Sequence, residues 1–462
     1  MGWVAPGWVA PGWVAPGWVA PGWRAYGGAG KRIMATRSSP AKGRKDSVMH
    51  SAALRRLGWC LLLTAVLATA ACTSAPAQAQ HPASARASGV PQVPGCSTQV
   101  TAGPALAASR PAQVSVPGDP TGVAASPDGR WAVAALSQGP DGGDPRIAVL
   151  SVSKTNGRLT LVRLVTLPGS LTGAWGMTVS PDGRLLLVAG GSGAAVLSLP
   201  KLESGDAHPV LGVLAAKGAG AFEAAVSADD HYAFVTAEET GDLYVFNLAL
   251  ALQHGFGAAG VAVGAVPLAT GAVGIAISPD GTLIYVTTYG QAGPYGRLWV
   301  IDASRAERAA GARSIVASTA AGCQPVRVVL SDDGQYAWVS AIQSNAVLAF
   351  NTVALRQHPS AALRAVVRVG SEPVGLAFVN GGRTVLVTDS DRGLVAPSSG
   401  QTGVSVISTA AALAGRPALA GLLPAGQFPR ELSYDAADGS VLMSDFASAR
   451  VQMFGVPAAA EP

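Results

Sequence analysis

A short phrase that recurs along the chain constrains its fold more than any other feature. Residues 274–288 read GIAISPDGTLIYVTT, and residues 176–190 read GMTVSPDGRLLLVAG, with the same order of apolar run, polar turn and second apolar run. Ser-Pro-Asp-Gly suits a tight turn because Pro279 presets φ, Asp280 bonds nearby amides and Gly281 accepts a positive φ. The apolar flanks are rich in β-branched and aromatic residues and are too short for helices. Each phrase therefore predicts a β-hairpin.

The spacing of these turns indicates the architecture. The first turn residue falls at seven positions, of which the last two are degraded: Ser126, Ser180, Ser227, Ser278, Ser331, Val379 and Asp435. The spacings are 54, 47, 51, 53, 48 and 56 residues, which matches a four-stranded propeller blade better than a helical repeat. The pattern predicts an all-β fold, a seven-bladed β-propeller.

The two ends of the repeat region predict how the ring closes. After the last turn only SVLMSD and ARVQMFGV have strand character, so the seventh blade lacks its outermost strand. PAQVSVPG (111–118) precedes the first phrase and resembles an outermost strand such as LVRLVTLPG (161–169). We expect this N-terminal strand to complete the last blade and to leave no open sheet edge. The propeller then spans residues 111–456, followed by a C-terminal tail at 457–462.

The repeats resemble a known family. GSEPVGLAF, GIAISPDGTLIYVTT and YAWVSAIQSNAVLAFN are similar to the YVTN-type repeats of bacterial surface propellers, whose relatives include the seven-bladed lactonase family. The resemblance covers residues 111–456 and implies the fold, but not an activity, because propellers host many unrelated functions. In the lactonase-like relatives a His often follows the Pro that leads into an innermost strand. Here Pro120, Pro325, Pro373 and Pro429 are followed by Thr, Val, Val and Arg.

The residues before the propeller are of a different kind. GWVAP occurs four times within residues 2–21, with neither helical nor strand periodicity. We interpret residues 1–48 as translated upstream sequence, with synthesis starting at Met49. A Trp-rich adhesive tail is the alternative.

Residues 49–71 have the pattern of a lipoprotein signal peptide. Two arginines are followed by the apolar stretch LGWCLLLTAVLATAA, and small residues precede Cys72. ATAAC resembles a lipobox, so we expect a lipid on Cys72; ordinary cleavage after Ala77 or Ala79 is the alternative. Residues 72–110, rich in Ala, Pro and Ser, are interpreted as a flexible tether. The protein is then exported and held on the outer face of the cell membrane by its lipid alone, or secreted.

Removal of the signal peptide changes the charge argument. The whole chain has a formal net charge of +5, but residues 72–462 hold 23 Lys and Arg against 26 Asp and Glu, a net charge of −3. Nucleic-acid binding therefore loses its main support. We expect a monomer that contacts the membrane through the lipid anchor only.

Cysteine usage fits an exported protein. Cys60 leaves with the signal peptide and Cys72 takes the lipid, so Cys96 and Cys323 remain in an oxidising compartment and can pair. No C-x-x-C or His-x-x-x-His spacing supports zinc, and PDGGD lacks the distal Glu of a calcium loop. We expect no metal and no cofactor.

Candidate site residues emerge from comparing the blades at one position. Four residues before each turn the series reads Gly122, Gly176, Glu223, Gly274, Arg327, Gly375 and Glu431. Gly in four blades suits backbones that crowd near the axis. The three charged residues either line a wet channel and pair with one another, or form a polar ligand site. One position earlier, Arg430 is charged and Trp175 is either a core residue or a ligand platform.

These residues define the expected function. The channel mouth is placed at the loops that lead into the innermost strands and those that join the middle strands. Its predicted ligand-binding residues are Trp175, Glu223, Arg327, Arg430 and Glu431. Acids in the middle-strand loops, such as Glu238 and Asp389, are attributed to surface solvation. The pattern favours a binding or scaffold protein for a partner protein or small polar ligand. The alternative is a lactonase-like hydrolase in which Glu223 or Glu431 activates water.

Overall fold

The computed structural model describes residues 91–107, 111–137, 143–153, 157–290, 295–393 and 402–456. These residues form seven four-stranded antiparallel sheets arranged as a seven-bladed β-propeller, which confirms the predicted fold. The expectations for residues 1–48, for the signal peptide, for Cys72 and for the tail 457–462 lie outside the described residues. No helix among the described residues combines the length and the apolar character that crossing a membrane requires.

The first half of the ring follows the closing strand β1 (Ala112–Ser115). Blade 1 contains β2 (Pro120–Ala125), β3 (Trp131–Leu136), β4 (Arg146–Ser153) and β5 (Arg158–Thr166). Blade 2 contains β6 (Gly176–Val179), β7 (Leu185–Gly190), β8 (Gly193–Ser198), helix α1 (Leu199–Ser204) and β9 (Val210–Ala215). Blade 3 contains β10 (Ala221–Val226), β11 (Tyr232–Ala237), β12 (Asp242–Asn247), helix α2 (Leu248–His254) and β13 (Ala262–Pro267).

The second half repeats this order. Blade 4 contains β14 (Ala272–Ile277), β15 (Leu283–Thr288), β16 (Arg297–Asp302), helix α3 (Ala303–Arg308) and β17 (Ile315–Ala320). Blade 5 contains β18 (Pro325–Leu330), β19 (Tyr336–Ala341), β20 (Ala346–Asn351), helix α4 (Thr352–Gln357) and β21 (Leu363–Arg368). Blade 6 contains β22 (Pro373–Val379), β23 (Thr384–Asp389), β24 (Gly403–Ser408), helix α5 (Thr409–Leu413) and β25 (Leu419–Pro424). Blade 7 contains β26 (Pro429–Asp435), β27 (Ser440–Asp445) and β28 (Arg450–Gly455). Single 3-10 turns lie at Ala312–Ser314, Ile342–Ser344 and Pro359–Ala361.

The strand β1 closes the ring as the sequence predicts. It pairs antiparallel with β28, with Ala112 opposite Met453 and Ser115 opposite Arg450. The last sheet therefore runs β26, β27, β28, β1 and joins the two ends of the propeller. Because every blade then has four strands, the ring has no incomplete sheet.

The hairpin turns owe their shape to the Ser and Asp of the repeated phrase. Ser278 Oγ donates a hydrogen bond to Asp280 at 2.5 Å and accepts one from the Leu283 amide at 2.9 Å, while Gly281 has φ +71°. The same Ser–Asp bond recurs in four further turns, at Ser126, Ser180, Ser227 and Ser331. The local chemistry that predicted the hairpins is therefore the chemistry that forms them.

The hydrophobic core lies between the blades. Val133 and Val149 of blade 1 pack in one buried cluster with Leu186 and Leu197 of blade 2. Equivalent clusters join the other neighbouring blades, so each sheet buries its faces mainly against the sheets beside it. This arrangement leaves the innermost strands to surround the axis.

Residues 91–107 differ from the expected flexible tether. They run along blades 5 and 6 as an ordered strap: Ser97 N–H donates to Gln343 O at 2.7 Å, and Thr101 N–H donates to Val369 O at 2.9 Å. Leu106 N–H then donates to Leu422 O at 2.9 Å, beside the outermost strand β25. The free edge of that strand offers the strap unpaired backbone groups, which a sequence without strand periodicity does not reveal. The tether interpretation therefore does not hold for this segment.

Candidate functional site

A β-bulge at the start of the innermost strands sets the side chains that face the axis. The pairing of β10 with β11 shifts between Ala221 and Glu223, and that of β18 with β19 shifts between Pro325 and Arg327. Blade 7 shows the same shift just after Pro429. An extra residue bends a strand and re-aims the side chains around it. The bulges therefore bring side chains from distant blades together.

Glu223, Arg327 and Glu431 meet at the axis and form an ion-pair triad. Arg327 Nε donates to Glu431 Oε1 at 2.6 Å, and its Nη2 also contacts that oxygen. The same Nε lies 3.7 Å from Glu223 Oε1, and Glu223 Oε2 accepts the Ile275 amide at 3.2 Å. The three charged residues thus pair with one another, which was one of the two predicted alternatives. They also line a cavity, as the alternative of a polar ligand site requires.

Crowding explains why three of the four blades with Gly at this position carry it, at Gly176, Gly274 and Gly375. A Cβ on Gly274 would come within 2.2 Å of Val326 O, and one on Gly375 within 2.0 Å of Arg430 O. These oxygens belong to the innermost strand of the next blade. At these positions Gly is therefore a packing requirement, as the sequence predicts.

The triad is largely shielded from solvent, which perturbs its protonation. The side chain of Arg327 is 5% exposed, against 16% for Glu223 and 17% for Glu431. Burial raises the pKa of Glu223 to about 7; Arg327 opposes this rise and Glu431 adds to it. Burial alone lowers the pKa of Arg327, but the two carboxylates outweigh it, so the pKa of the guanidinium is raised. The site therefore holds an acid that titrates near neutrality.

A cavity of about 460 Å³ begins at the triad and extends along the axis, with lining residues from all seven blades. Its far end is bordered by Pro279, Ser331 and Asp332, which belong to the hairpin turns. The sequence predicts a mouth at the opposite end, among the loops that lead into the innermost strands. The cavity instead extends toward the hairpins. On the opposite side, the residues one position before the triad and before the equivalent Gly residues are mostly buried: Thr121, Val273, Val326, Val374 and Arg430.

The cavity wall includes backbone edges. Each innermost strand is the terminal strand of its sheet, so it pairs on one side only. The backbone N–H and C=O groups of its other edge face the axis, and the Ile275 amide that bonds Glu223 is one of them. Apolar side chains, including Met177, Phe378 and Leu432, complete the wall. The cavity therefore combines many hydrogen-bonding groups with apolar contact surface.

Arg430 and Trp175 do not line this cavity. Arg430 is 8% exposed and lies 5.7 Å from the ring centroids of both Phe428 and Phe446, and burial together with Arg327 and Arg392 lowers its pKa to about 9. The half-buried Trp175 ring packs on Gly173, where a Cβ would lie 2.9 Å from ring atoms. The structure thus brings together three of the five predicted ligand-binding residues.

Two acids attributed to surface solvation have other roles. Asp389 is 0% exposed and accepts a hydrogen bond from Ser405 Oγ at 2.7 Å, and burial raises its pKa to about 8. Glu238 accepts a hydrogen bond from the Tyr289 hydroxyl. Asp445 occupies the same final position of the second strand in blade 7 as Asp389 does in blade 6. That repetition is visible in the sequence and could have indicated a buried role.

Cys96 and Cys323 form a disulfide, with their Cα atoms 5.0 Å apart and a sequence separation of 227. Cys323 lies four residues before Arg327, in the segment that leads into β18. Ser344 Oγ reinforces the junction, since it accepts the Cys323 amide at 2.8 Å and donates to the strap at Gly95 O. The bond fastens the strap to blade 5 near the triad. No group of three or more His, Cys, Asp or Glu suited to a metal ion occurs among the described residues.

Comparison with known proteins supports the fold and no more. No protein-family model matches the chain, and no curated protein matches it. Among solved structures, the chain is similar to the hydrazine synthase of Kuenenia stuttgartiensis, with a TM-score of 0.56 and 15% sequence identity. The match covers 74% of this chain and 97% of that chain. At this identity the similarity concerns the propeller fold alone.

Proposed function

We propose that this protein is an exported β-propeller that binds a small polar ligand in the cavity along its axis. One observation carries the proposal: Glu223, Arg327 and Glu431, contributed by three separate blades, meet at the base of a cavity of about 460 Å³. Gly occupies the same position in the other four blades, so the fold does not need charge there. Burying charged groups is costly, and a cost that the fold does not require points to a ligand.

The cavity suits a small molecule better than a partner protein. Its volume falls within the range of roughly 300–1,000 Å³ that is typical of small-molecule sites. The strand edges supply backbone donors and acceptors, and Met177 and Phe378 supply apolar contact. A polar ligand with a small carbon skeleton would use both kinds of surface.

A lactonase-like hydrolase is the second candidate, and the protonation of Glu223 favours it. A general base works best when its pKa lies near the operating pH, and the pKa of Glu223 is about 7. In this reading Glu223 would take a proton from water, and Arg327 would stabilise the developing oxyanion. Turnover separates the two candidates, since a binding protein returns its ligand unchanged.

The proposed location rests on the signal-like residues 49–71 and on the disulfide. Disulfides persist in oxidising compartments outside the cytoplasm, which fits the Cys96–Cys323 bond. Lipidation of Cys72 would hold the propeller at the outer face of the membrane. The net charge of −3 over residues 72–462 argues against nucleic acid as a partner.

The test is a thermal-shift screen of the purified protein against small sugars, amines, carboxylates and lactones. Compounds that raise the midpoint are then titrated by calorimetry into the wild type, Glu223→Gln and, as a control, Glu239→Gln. Glu239 is an exposed acid outside the cavity lining. We expect Glu223→Gln to weaken binding and the control to bind normally. Equal binding by both variants, or no stabilising compound, would contradict the proposal, and lactone turnover lost in Glu223→Gln would favour the hydrolase.

A further inference from the structure

We infer that the ligand is a small hydroxylated amine, with its ammonium group held by Glu223 and Glu431 and an oxygen atom accepting from Arg327. This inference rests on the proposed function of the cavity and names the chemical class that the cavity selects. It involves binding alone, with no covalent step.

The balance of charge at the base of the cavity favours a cation. Among the groups that line the base, two are carboxylates and one is a guanidinium, and the guanidinium is the most buried of the three, at 5% exposure against 16% and 17%. A second arginine, Arg430, acts on Glu223 from outside the cavity lining, so the carboxylates stay the groups that the ligand meets. A ligand that reaches the base therefore meets carboxylate oxygens first. Where both carboxyls are ionised they repel an anion at this point, whereas an ammonium group gains charge-assisted hydrogen bonds.

Two unsatisfied atoms define what else the ligand must carry. Glu223 Oε1 has its ion-pair partner, Arg327 Nε, at 3.7 Å, which is beyond hydrogen-bond distance. Arg327 Nη1 is buried and makes no hydrogen bond to any of the described residues, and Arg327 as a whole is 4% exposed. The first atom needs a donor and the second needs an acceptor. An amine that also carries a hydroxyl group supplies both within one small skeleton.

The charged groups around Glu223 make binding depend on pH. Arg327 faces it from β18, and Glu431 and Arg430 face it from β26, whereas β6 and β14 beside it carry no titratable residue. In the free protein burial holds the pKa of Glu223 at about 7. A bound ammonium group favours the ionised carboxyl, so binding below neutral pH releases a proton. Affinity then falls as the pH falls, while the amine itself stays charged.

Three sugars of nearly equal size test the inference: glucosamine, glucose and glucuronate. Each is titrated by calorimetry into the protein at about pH 7, where the three differ mainly in charge. We expect glucosamine to bind at least about tenfold more tightly than glucose, which is the usual effect of one charge-assisted hydrogen bond. We expect glucuronate to bind more weakly than glucose. Glu223→Gln should remove the preference for glucosamine, with circular dichroism as the check on folding, whereas Glu239→Gln should retain it.

The proton release gives an independent readout. Titration of glucosamine at about pH 6 in two buffers of different ionisation enthalpy should reveal about one proton released per site. The affinity should fall from about pH 7 to about pH 5.5 by up to tenfold per unit. Absence of glucosamine binding, equal affinity for glucose, or no proton release would overturn the inference. If a neutral or anionic compound binds instead and is lost in Glu223→Gln, the proposed function stands and only the ligand class fails. If no compound binds, both fail.

Discussion

At the scale of single residues, the charge balance of the triad at the axis depends on Arg327. It is the only cation in the triad and contacts both Glu223 and Glu431. A buried ion pair adds little net stability over an apolar replacement of the whole group, but the loss of one partner leaves the others uncompensated. The charged triad is therefore expected to act as a unit, in which Arg327 is the least replaceable member.

The substitution Arg327→Met should lower the free energy of unfolding by about 3–5 kcal/mol at about pH 8, because two buried carboxylates lose their counter-charge. The loss should shrink at about pH 5.5, since Glu223, with a pKa of about 7, is then protonated. Urea unfolding at the two pH values measures this. The control Arg364→Met lies on the exposed side of β21 and should change stability by less than about 0.5 kcal/mol. A loss that does not vary with pH would contradict the account.

At the scale of secondary-structure elements, a hydroxyl on the second strand links neighbouring blades. Thr287 Oγ1 accepts the Gly274 amide of its own blade at 3.0 Å and donates to Val326 O of the next blade at 3.0 Å. The same pair of bonds is made by Thr236, Ser340 and Thr388. Each hydroxyl satisfies backbone groups that the bulge withdraws from the ladder, and so joins two sheets that share no strand pairing.

Replacing Thr287 with Val keeps its shape and β-propensity but removes both hydrogen bonds. We expect a loss of about 1–3 kcal/mol, the cost of leaving a buried donor and acceptor unsatisfied. Thr160→Val, at an exposed position of β5, makes the same chemical change without such partners and should be near neutral. Chemical denaturation of the two variants checks this. Equal stability of Thr287→Val and Thr160→Val would mean that the hydroxyl link contributes nothing.

Structural elements that depend on interactions between neighbouring residues could be predicted from the sequence. Those that depend on contacts between distant residues could not. The turns depend on Ser278, Asp280 and Gly281 within four residues, and they gave the blade count. The five short helices also have a local cause that the sequence-based prediction did not use. In blades 2 to 6 the third strand ends in a side chain that caps the following helix: Ser198, Asn247, Asp302, Asn351 and Ser408. The strap and the hairpin-side cavity depend on contacts hundreds of residues apart, which no local pattern encodes.

At the scale of the whole molecule, the closing strand β1 and the disulfide of the strap both stabilise the ring. The strand β1 completes blade 7, and the strap just before it is fastened to blade 5 through Cys96 and Cys323. In chain-entropy terms a bond across so long a loop contributes roughly 5 kcal/mol. The N-terminal region of the described chain therefore stabilises the ring at three blades rather than serving only as a tether.

The same whole-molecule view predicts how stability depends on pH. Burial raises the pKa of Asp389 from 3.8 to about 8 and that of Asp445 from 3.8 to about 7, and Glu223 rises from 4.5 to about 7. Between about pH 4 and 8 the folded protein therefore binds more protons than the unfolded chain, so stability falls as the pH rises through this range. In the hairpin turns the pKa of the aspartate is lowered, not raised. Burial alone raises the pKa of Asp128, but hydrogen bonds from Ser126 and Arg130 outweigh it and hold the value at about 2.

Stability should therefore be greatest near about pH 4–5 and decline in both directions: toward pH 2 as the turn aspartates are protonated, and toward pH 8 as the buried acids ionise. Urea unfolding across this range measures the profile. Asp389→Asn should flatten the decline between about pH 4 and 8 and leave the acid limb unchanged, because its neutral amide does not ionise. Asp128→Asn should act on the acid limb alone. Stability that rises steadily from pH 4 to 8 would show that these carboxyls are ionised in the folded protein, and with them the acid at the base of the cavity.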